Sequence, residues 1–539
     1  MTVVESRADW TLPATLSRAV DRWPDSPFLH FAAPDTSLSF GETGARVEKL
    51  AAGLQRLGVG PGDNVLVMVR NRAEFVLAWF AVNTLGAVEV PVNVDYHGYF
   101  LEHLVNTSRA SVMVVEADFL DSIEASAARF EFLRTLVVVG ASPGAVAGFE
   151  VHSFAEVEAG GGRPTGDPPR YSDLAAIHVT SGTTGPSKGA MMTHAHAHLL
   201  AERNQSLIRM EAGDVLLTHL PLFHVNAQLT AVYNAMLVGA AVHLQTHFSA
   251  SHWLEEIRSS GATHTTLLGV MMPFILKQEA TPLDADNALR CVWAVPCPPE
   301  PAEAFRRRFD VARIVSAYGN TEIGMISTQD FDEARLGSAG RVDGTWYEVR
   351  IVDPDTDEEL PTDTVGELVV RPRHPWNLCQ GYFGMPERTL ETFRNLWFHT
   401  GDALRMDEDG YLYFVDRIKD RIRRRAENIA SVDVEHVIVE HDAVAEAAVV
   451  AVPSELEGGE DELKACVVLS REVDLAEVRE WCDRRLPYFA VPRYVEALDA
   501  LPKTPTAKVR KFQLREAGIT PGTVDFGKPE GRSRRVERS

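Results

Sequence analysis

From Leu12 to about Arg170, apolar positions spaced at about 3.6 residues alternate with short β-branched runs. Val47 to Leu57 predicts a helix, Asn64 to Val69 a strand, and Ala73 to Leu85 a second helix. This alternation is the pattern of an α/β fold. Gly160 to Arg170 (GGGRPTGDPPR) follows, a Gly/Pro-rich surface connection expected to separate two subdomains. Leu174 to Val179 predicts a buried strand that runs directly into TSGTTGPSKGAMMTH, and strands and helices alternate onward to about Val415. From Arg417 the character changes. A basic run, RIKDRIRRR, leads into two short strands (Ala447 to Val452 and Lys464 to Leu469) and a helix (Leu475 to Leu486), which together predict a small C-terminal domain. The stretch from Thr520 is rich in Gly, Pro, Arg and Ser and has little to bury, so disorder is expected there.

The chain has 539 residues, 45% of them hydrophobic, enough to build the cores of two or more domains. Its 53 Lys and Arg against 76 Asp and Glu give a net charge of −23, which repels phosphate polymers and anionic lipid and argues against a nucleic-acid binder. Cys291, Cys297, Cys379, Cys466 and Cys482 stand singly with no CxxC pair, which excludes a zinc ribbon or disulfide scaffold and suits a reducing compartment. The longest unbroken apolar run, Phe75 to Val82, has eight residues, against the roughly 20 that span a bilayer. Glu5 and Asp9 precede any apolar stretch, so no signal-peptide pattern is seen and a cytoplasmic protein is expected. GVGPGD at Gly58 to Asp63 superficially matches a dinucleotide fingerprint. It follows a helix and precedes a strand, the reverse of the order that phosphate binding needs, and reads as an ordinary turn.

The most specific segment runs from Thr180 to Gly189. Gly182, Gly185 and Gly189 let the backbone approach a polyphosphate, Thr180, Ser181, Thr183 and Thr184 offer hydroxyl donors, and Lys188 adds a positive charge. A Walker A loop would need Gly at 187 and Ser or Thr at 189. Ser187 and Gly189 break that pattern, so this is a different nucleotide loop.

TSGTTGPSKG resembles the signature of the adenylate-forming superfamily, which includes acyl-CoA synthetases, peptide-synthetase adenylation domains and luciferases. Further motifs follow in the family's order: Ala317-Tyr318-Gly319-Asn320-Thr321-Glu322, then Gly366-Glu367-Leu368 with Gly381-Tyr382, then Trp397 to Asp402 (WFHTGD), Asp416 to Asp420 (DRIKD), Glu427-Asn428-Ile429 and Pro505-Thr506-Ala507-Lys508. The resemblance spans about residues 10 to 515 and is nearest to the acyl-CoA ligases.

That resemblance implies a large N-terminal α/β domain over residues 1–416 with a small β-barrel-like subdomain. It also implies a small, mobile α+β C-terminal domain over 417–515 with its hinge at Lys419, and leaves 516–539 as the disordered tail. ATP, Mg²⁺ and coenzyme A are the implied cofactors. Thr184 and Glu322 would hold the Mg²⁺, whose preference is for oxygen ligands. Tyr318 would stack on adenine, Asp402 and Arg417 would contact the ribose, and Val295, Pro296, Gly319 and Thr321 would complete the nucleotide pocket with the Thr180 to Lys188 loop. Lys508 would be the catalytic cation, joined in the catalytic set by Thr184, Glu322 and His224, the last being a gate beside the acyl pocket.

This chain departs from the family's pattern at three points. Ala507 replaces the usual Gly before Lys508, which restricts the loop's backbone. Arg425-Ala426 replaces Gly-Gly beside the pantetheine tunnel, where an arginine could contact the CoA phosphates, point to solvent or obstruct the thiol's route. Trp293-Ala294-Val295-Pro296 replaces Gly-Gly-Ala-Pro, placing an indole in the acyl pocket beside His224 and Gly319. His194 and His198 stand at i and i+4, a metal-compatible spacing. They lack an HExxH glutamate and follow a phosphate loop, so core histidines are the favoured reading.

The expected activity is ATP-dependent formation of an acyl adenylate from a small acid, with pyrophosphate release, then acyl transfer to the CoA thiol. The alternative keeps adenylation but passes the acyl group to an amine, a hydroxyl or a carrier-protein thiol, or activates nitrous acid for diazotisation. A third reading, a nucleotide-binding scaffold without catalysis, is opposed by the joint presence of Thr184, Lys188, Glu322, Asp402, Arg417 and Lys508. The expected partners are therefore the acid and CoA, with no nucleic acid and no membrane insertion. The sequence leaves the oligomeric state open, a homodimer included.

Overall fold

The computed structural model describes residues 7–141, 144–180, 188–269, 271–297, 299–418, 422–424, 427–429, 431–453, 461–486, 490–503 and 509–527. Two seven-stranded sheets form the large domain. One is ordered Glu150–Ser153, Thr135–Val139, Val112–Glu116, Asn64–Met68, Val88–Pro91, Leu174–Thr180, Lys188–Thr193, parallel except for its last pair. The other is ordered Arg313–Val315, Cys291–Val295, His264–Leu268, Val215–Thr218, Ala241–Leu244, Pro27–Ala32, Asp35–Ser39, again parallel except for its last pair.

Helices Leu12–Arg22, Phe40–Arg56, Ala73–Thr84 and His194–Ile208 contribute to the main core together with side chains of both sheets. Ala73–Thr84 is buried around its whole circumference, which explains why Phe75 to Val82 reads as an unbroken apolar run. The predicted helix at Val47 begins earlier, at Phe40, because Ser39 and Glu42 form a reciprocal capping box. The turn at Gly58 to Asp63 lies between that helix and strand Asn64–Met68, as its order implied.

Two expectations are corrected. The Gly160 to Arg170 connection does not separate subdomains: strands on both sides of it belong to one sheet, with Val88–Pro91 beside Leu174–Thr180. Pro27–Ala32 likewise pairs with Ala241–Leu244 from far along the chain. Parallel pairing requires such long crossovers, so chain order and spatial order diverge. Residues 516–527 are also ordered, against the disorder expected from 516 or Thr520. Thr523–Asp525 adds an antiparallel strand to Tyr494–Ala497, secured by Arg493 on both Asp525 carboxylate oxygens and by the Thr520 hydroxyl on Glu496. Residues 528–539 lie outside the described residues.

The predicted barrel-like region consists of a three-stranded sheet (Ala317–Asn320, Gly324–Thr328, Arg341–Val342) and a four-stranded antiparallel sheet (Tyr347–Val352, Gly366–Pro372, Phe398–Met406, Leu412–Arg417). A single bridge, Arg341 to Tyr411, joins them around a core that includes Ile326, Ile351, Leu368, Leu404 and Leu412. Among the described residues the two sheets do not close into a continuous barrel. Beyond them, Val444–Val452, Glu462–Leu469, Tyr494–Ala497 and Thr523–Asp525 form a sheet that packs with helices Ser431–Val439 and Leu475–Arg485 around its own apolar cluster. This is the small C-terminal domain.

Candidate active site

Strand Leu174–Thr180 is buried along most of its length and delivers Thr180 to the start of the glycine-rich loop. Residues 181–187, Lys419 and Lys508 lie outside the described residues, and with them the calls on Ser181, Gly182, Thr183, Thr184 and Gly185, the hinge and the catalytic cation; so does Arg425. The loop's return strand, Lys188–Thr193, is fastened to the Gly381-Tyr382 motif: Met191 N donates to Gly381 O at 3.0 Å and Phe383 N to Gly189 O at 2.8 Å. This pairing sets the Tyr382 ring under Lys188, with Nζ 5.0 Å from its centroid.

Glu322 meets the same tyrosine. Its Oε1 accepts from the Tyr382 hydroxyl at 3.0 Å and from Thr180 Oγ1 at 3.3 Å. Its turn is fixed by Asn320, whose Oδ1 accepts from the backbone N–H groups of Glu322 and Ile323. Burial and the Glu322 charge hold the Tyr382 phenol far above its ordinary range, so it stays a donor. A carboxylate and a hydroxyl converging beside a lysine form a hard, oxygen-rich donor set that suits Mg²⁺ on a polyphosphate.

Gly319 sits at an irregularity where the pairing of Ala317–Asn320 with Gly324–Thr328 shifts register. A Cβ there would lie 2.0 Å from Gly324 O. Gly319→Ala is therefore expected to displace Glu322 and raise the KM for ATP by about tenfold or more, measurable in an ATP titration; an unchanged KM would contradict this placement.

A second cluster forms where Phe398–Met406 pairs with Leu412–Arg417. Asp402 accepts from the Tyr318 hydroxyl at 2.6 Å and pairs with Arg417 Nε at 2.7 Å. Burial first, and then the charge of Asp402, raise the Tyr318 phenol well above its usual range. Behind it, Glu367 accepts from Gly401 N at 2.9 Å and lies 3.0 Å from His399 Nδ1, which sets the bend of the HTGD segment. Asp357 approaches the same His399 at 3.8 Å, but Arg394 already bridges Asp357 and Glu367, so this trio reads as an ion-pair network. Neither Asp357 nor the role of Tyr382 was anticipated from sequence; the only hint of the latter was its place in a recognised motif.

Trp293 lies on Cys291–Val295, 6% exposed, in the same apolar cluster as Phe223, Val315, Ala317 and Met325. Val295 O accepts from Gly269 N, which ties the Val295-Pro296 segment to the end of the neighbouring strand. His224 packs against Phe223, with ring centroids 4.6 Å apart, at the entry to the π-helix Asn226–Tyr233. Among the described residues, the HAHAH histidines meet different neighbours. His194 Nδ1 accepts from Leu12 N, His196 packs near Gly324, and His198 stacks on Trp10 and meets the Tyr233 hydroxyl at 3.0 Å.

The arrangement is that of a nucleotide-binding carboxylate-activating site, and the comparisons agree. Residues 16–383 match the AMP-binding enzyme family and residues 433–508 its C-terminal domain. The chain belongs to this family and is an AMP-forming ligase. Among its relatives is a crotonobetaine/carnitine–CoA ligase of Salmonella typhi, 30% identical over 88% of this chain and 93% of the relative. ATP-bound MatB from Rhodopseudomonas palustris superposes with a TM-score of 0.82 at 26% identity, covering 94% of this chain and 99% of that one. The anthranilate CoA ligase AuaEII in complex with anthranoyl-AMP shares the fold, with a TM-score of 0.84 at 24% identity, covering 95% of this chain and 99% of that one.

Proposed function

We propose that this enzyme activates a small carboxylic acid and passes it to coenzyme A. In the first half-reaction an acid oxygen attacks the α-phosphorus of ATP, the bond to the β-phosphate breaks and pyrophosphate leaves. In the second the CoA thiol attacks the acyl carbon, loses its proton and expels AMP. The observation that carries this reading is the convergence of Thr180, Glu322, Tyr382 and Lys188 at one end of the site with Tyr318, Asp402 and Arg417 at the other. The first group has the chemistry to hold a polyphosphate and the second to hold a ribose.

Bound Mg²⁺ would neutralise charge on the phosphates, with Glu322 and Thr184 as its protein ligands. Lys508 would stabilise the negative charge that develops at the α-phosphate. Lys188 would bind the terminal phosphates, and the Asp402 carboxylate would accept from the ribose hydroxyls. In this reading Tyr318 both anchors Asp402 and borders the adenine. His224 gates the acyl pocket. Five free, buried thiols support placement in a reducing cytoplasm.

The size of the acid is set by Trp293. An indole normally buries roughly 150–250 Å², and here it is 6% exposed on strand Cys291–Val295, which in this reading borders the acyl pocket. A long acyl chain cannot occupy the same space. Trp293→Gly should extend the accepted acids toward longer chains, each added buried methylene being worth roughly 0.8 kcal/mol of binding. Activation of palmitate by the unmodified enzyme, at the rate of its best small acid, would overturn the assignment.

We also place a domain boundary near residue 417 and the hinge at Lys419. The separate apolar clusters beyond Ile422 support the boundary. The buried Asp416 carboxylate, which accepts from Ser431 N and Oγ at 2.8 and 2.6 Å, supports a defined joint. Lys419→Pro, by fixing φ, should leave pyrophosphate exchange intact while overall thioester formation falls. Equal loss of both activities would remove the hinge.

A further inference from the structure

An internal cavity is lined by Asn83, His178, His194, Gln228 and apolar side chains that include Trp79 and Met192. Each of those four polar residues carries one buried atom without a hydrogen-bond partner among the described residues: Asn83 Oδ1, His178 Nδ1, His194 Nε2 and Gln228 Oε1. A polar atom left unpaired in a protein interior is costly, so four around one cavity call for a shared ligand.

The remaining bonds of these residues fix what that ligand must be. The Asn83 amide nitrogen donates to Ala175 O at 2.8 Å and Ala87 O at 3.3 Å, so its oxygen faces the cavity as an acceptor. Gln228 Nε2 donates to both carboxyl oxygens of the fully buried Glu89, at 3.0 and 3.2 Å, which leaves its Oε1 as a second acceptor. His194 Nδ1 accepts from Leu12 N at 3.4 Å, so in the neutral ring Nε2 carries the proton and donates. Burial pushes His194 down to about 4 and His178 to about 3, and both rings are neutral near pH 7. His178 in its Nδ1–H form supplies a second donor. Two acceptors and two donors are the complement of a single water molecule.

We infer that this cavity binds one structural water with hydrogen bonds to Asn83, His178, His194 and Gln228, and that through it His178 and Gln228 position the gate residue His224. Gln228 N donates to His224 O at 3.3 Å where the chain enters the π-helix. His178 stands on the strand leading to the phosphate loop, near enough to His224 and His196 that their protonated forms would oppose its own charge. The water therefore joins the strand that carries the phosphate loop to the helix that carries the gate. π-helical turns commonly occur at functional sites, where backbone hydrogen bonding is given up for a local shape.

A crystal structure of the full-length enzyme at high resolution tests the site. It should show one water within about 3.2 Å of the four atoms; an empty cavity, or one filled by a rearranged side chain, would overturn the inference. The positioning role is read separately from kinetics. His178→Leu should raise the KM of the best small acid about tenfold while the KM for ATP changes less than about twofold. His178→Asn, whose amide nitrogen reaches the position of the imidazole Nδ1, should recover most of the loss. An unchanged acid KM in the Leu variant, or an equal rise in both KM values, would remove the positioning role. Should His178→Leu fail to fold, the ordered water and the Asn variant decide the matter alone.

Discussion

Replacing Lys508 with alanine should lower the rate of adenylate formation by about 10²- to 10³-fold while leaving transfer from a preformed acyl adenylate to CoA nearly intact. One preorganised cationic donor at a developing negative charge is worth that much, because it acts where water is excluded and needs no reorganisation during the reaction. The negative charge here builds on a phosphorus centre approached by an already anionic carboxylate, so loss of a cation is felt in the transition state more than in the bound substrates. Single-turnover measurements with ATP and acid, and separately with synthetic adenylate and CoA, distinguish the two half-reactions. Pyrophosphate exchange at the unmodified rate would show that Lys508 is not the catalytic cation.

Asp402→Ala should have an effect of comparable size on a different parameter. The Asp402 carboxylate is 3% exposed and is gripped by Tyr318 and Arg417, which fix its orientation before any nucleotide arrives. Hydrogen bonds to a charged group contribute about 1.5–3 kcal/mol each, so losing the proposed acceptor for the ribose hydroxyls should cut kcat/KM for ATP by about 10² or more. The KM of the acid should change little, because the acid is proposed to bind at the Trp293 end of the site. Titrating each substrate at saturating levels of the other reads this directly, and equal loss for ATP and acid would contradict the assignment of Asp402 to the nucleotide.

The motifs and their order were legible in the sequence because phosphate and ribose recognition use short, contiguous segments whose residue types follow from chemistry. Thr180 and Lys188 could be read that way, and Glu322 and Asp402 by resemblance. The pairing between segments was not legible. Nothing in the run around Gly381-Tyr382 says that it bridges to Lys188–Thr193, so the roles of Tyr382 as a platform under Lys188 and a donor to Glu322 emerge only from the fold. The same reason explains the misread connection at Gly160 to Arg170. Composition marks a loop, but whether the strands flanking it share a sheet depends on crossovers of many residues. The order of residues 516–527 is a third case. Thr523–Asp525 has little to bury by itself and is ordered by edge pairing and by Arg493.

The basic run after Arg417 carries a related lesson. Arg424 stands within the basic run RIKDRIRRR, yet it is fully buried, donating to Val491 O at 2.8 Å and pairing with Glu462 at 2.6 Å. Charge patterning described the segment's composition correctly and its role incompletely. An arginine that enters the core of the small domain ties its first strand pair to the sheet behind it.

The central claim is that one site joins an acid to AMP and then hands it to CoA. It is tested most directly by acid-dependent exchange of labelled pyrophosphate into ATP without CoA, followed by assay of the same mixture for thioester after CoA is added. The account predicts exchange that requires a small acid and Mg²⁺, and thioester and AMP in equal amounts once CoA is present. Exchange with no acid in the panel, or an adenylate that CoA leaves untouched while an amine or another thiol consumes it, would contradict it.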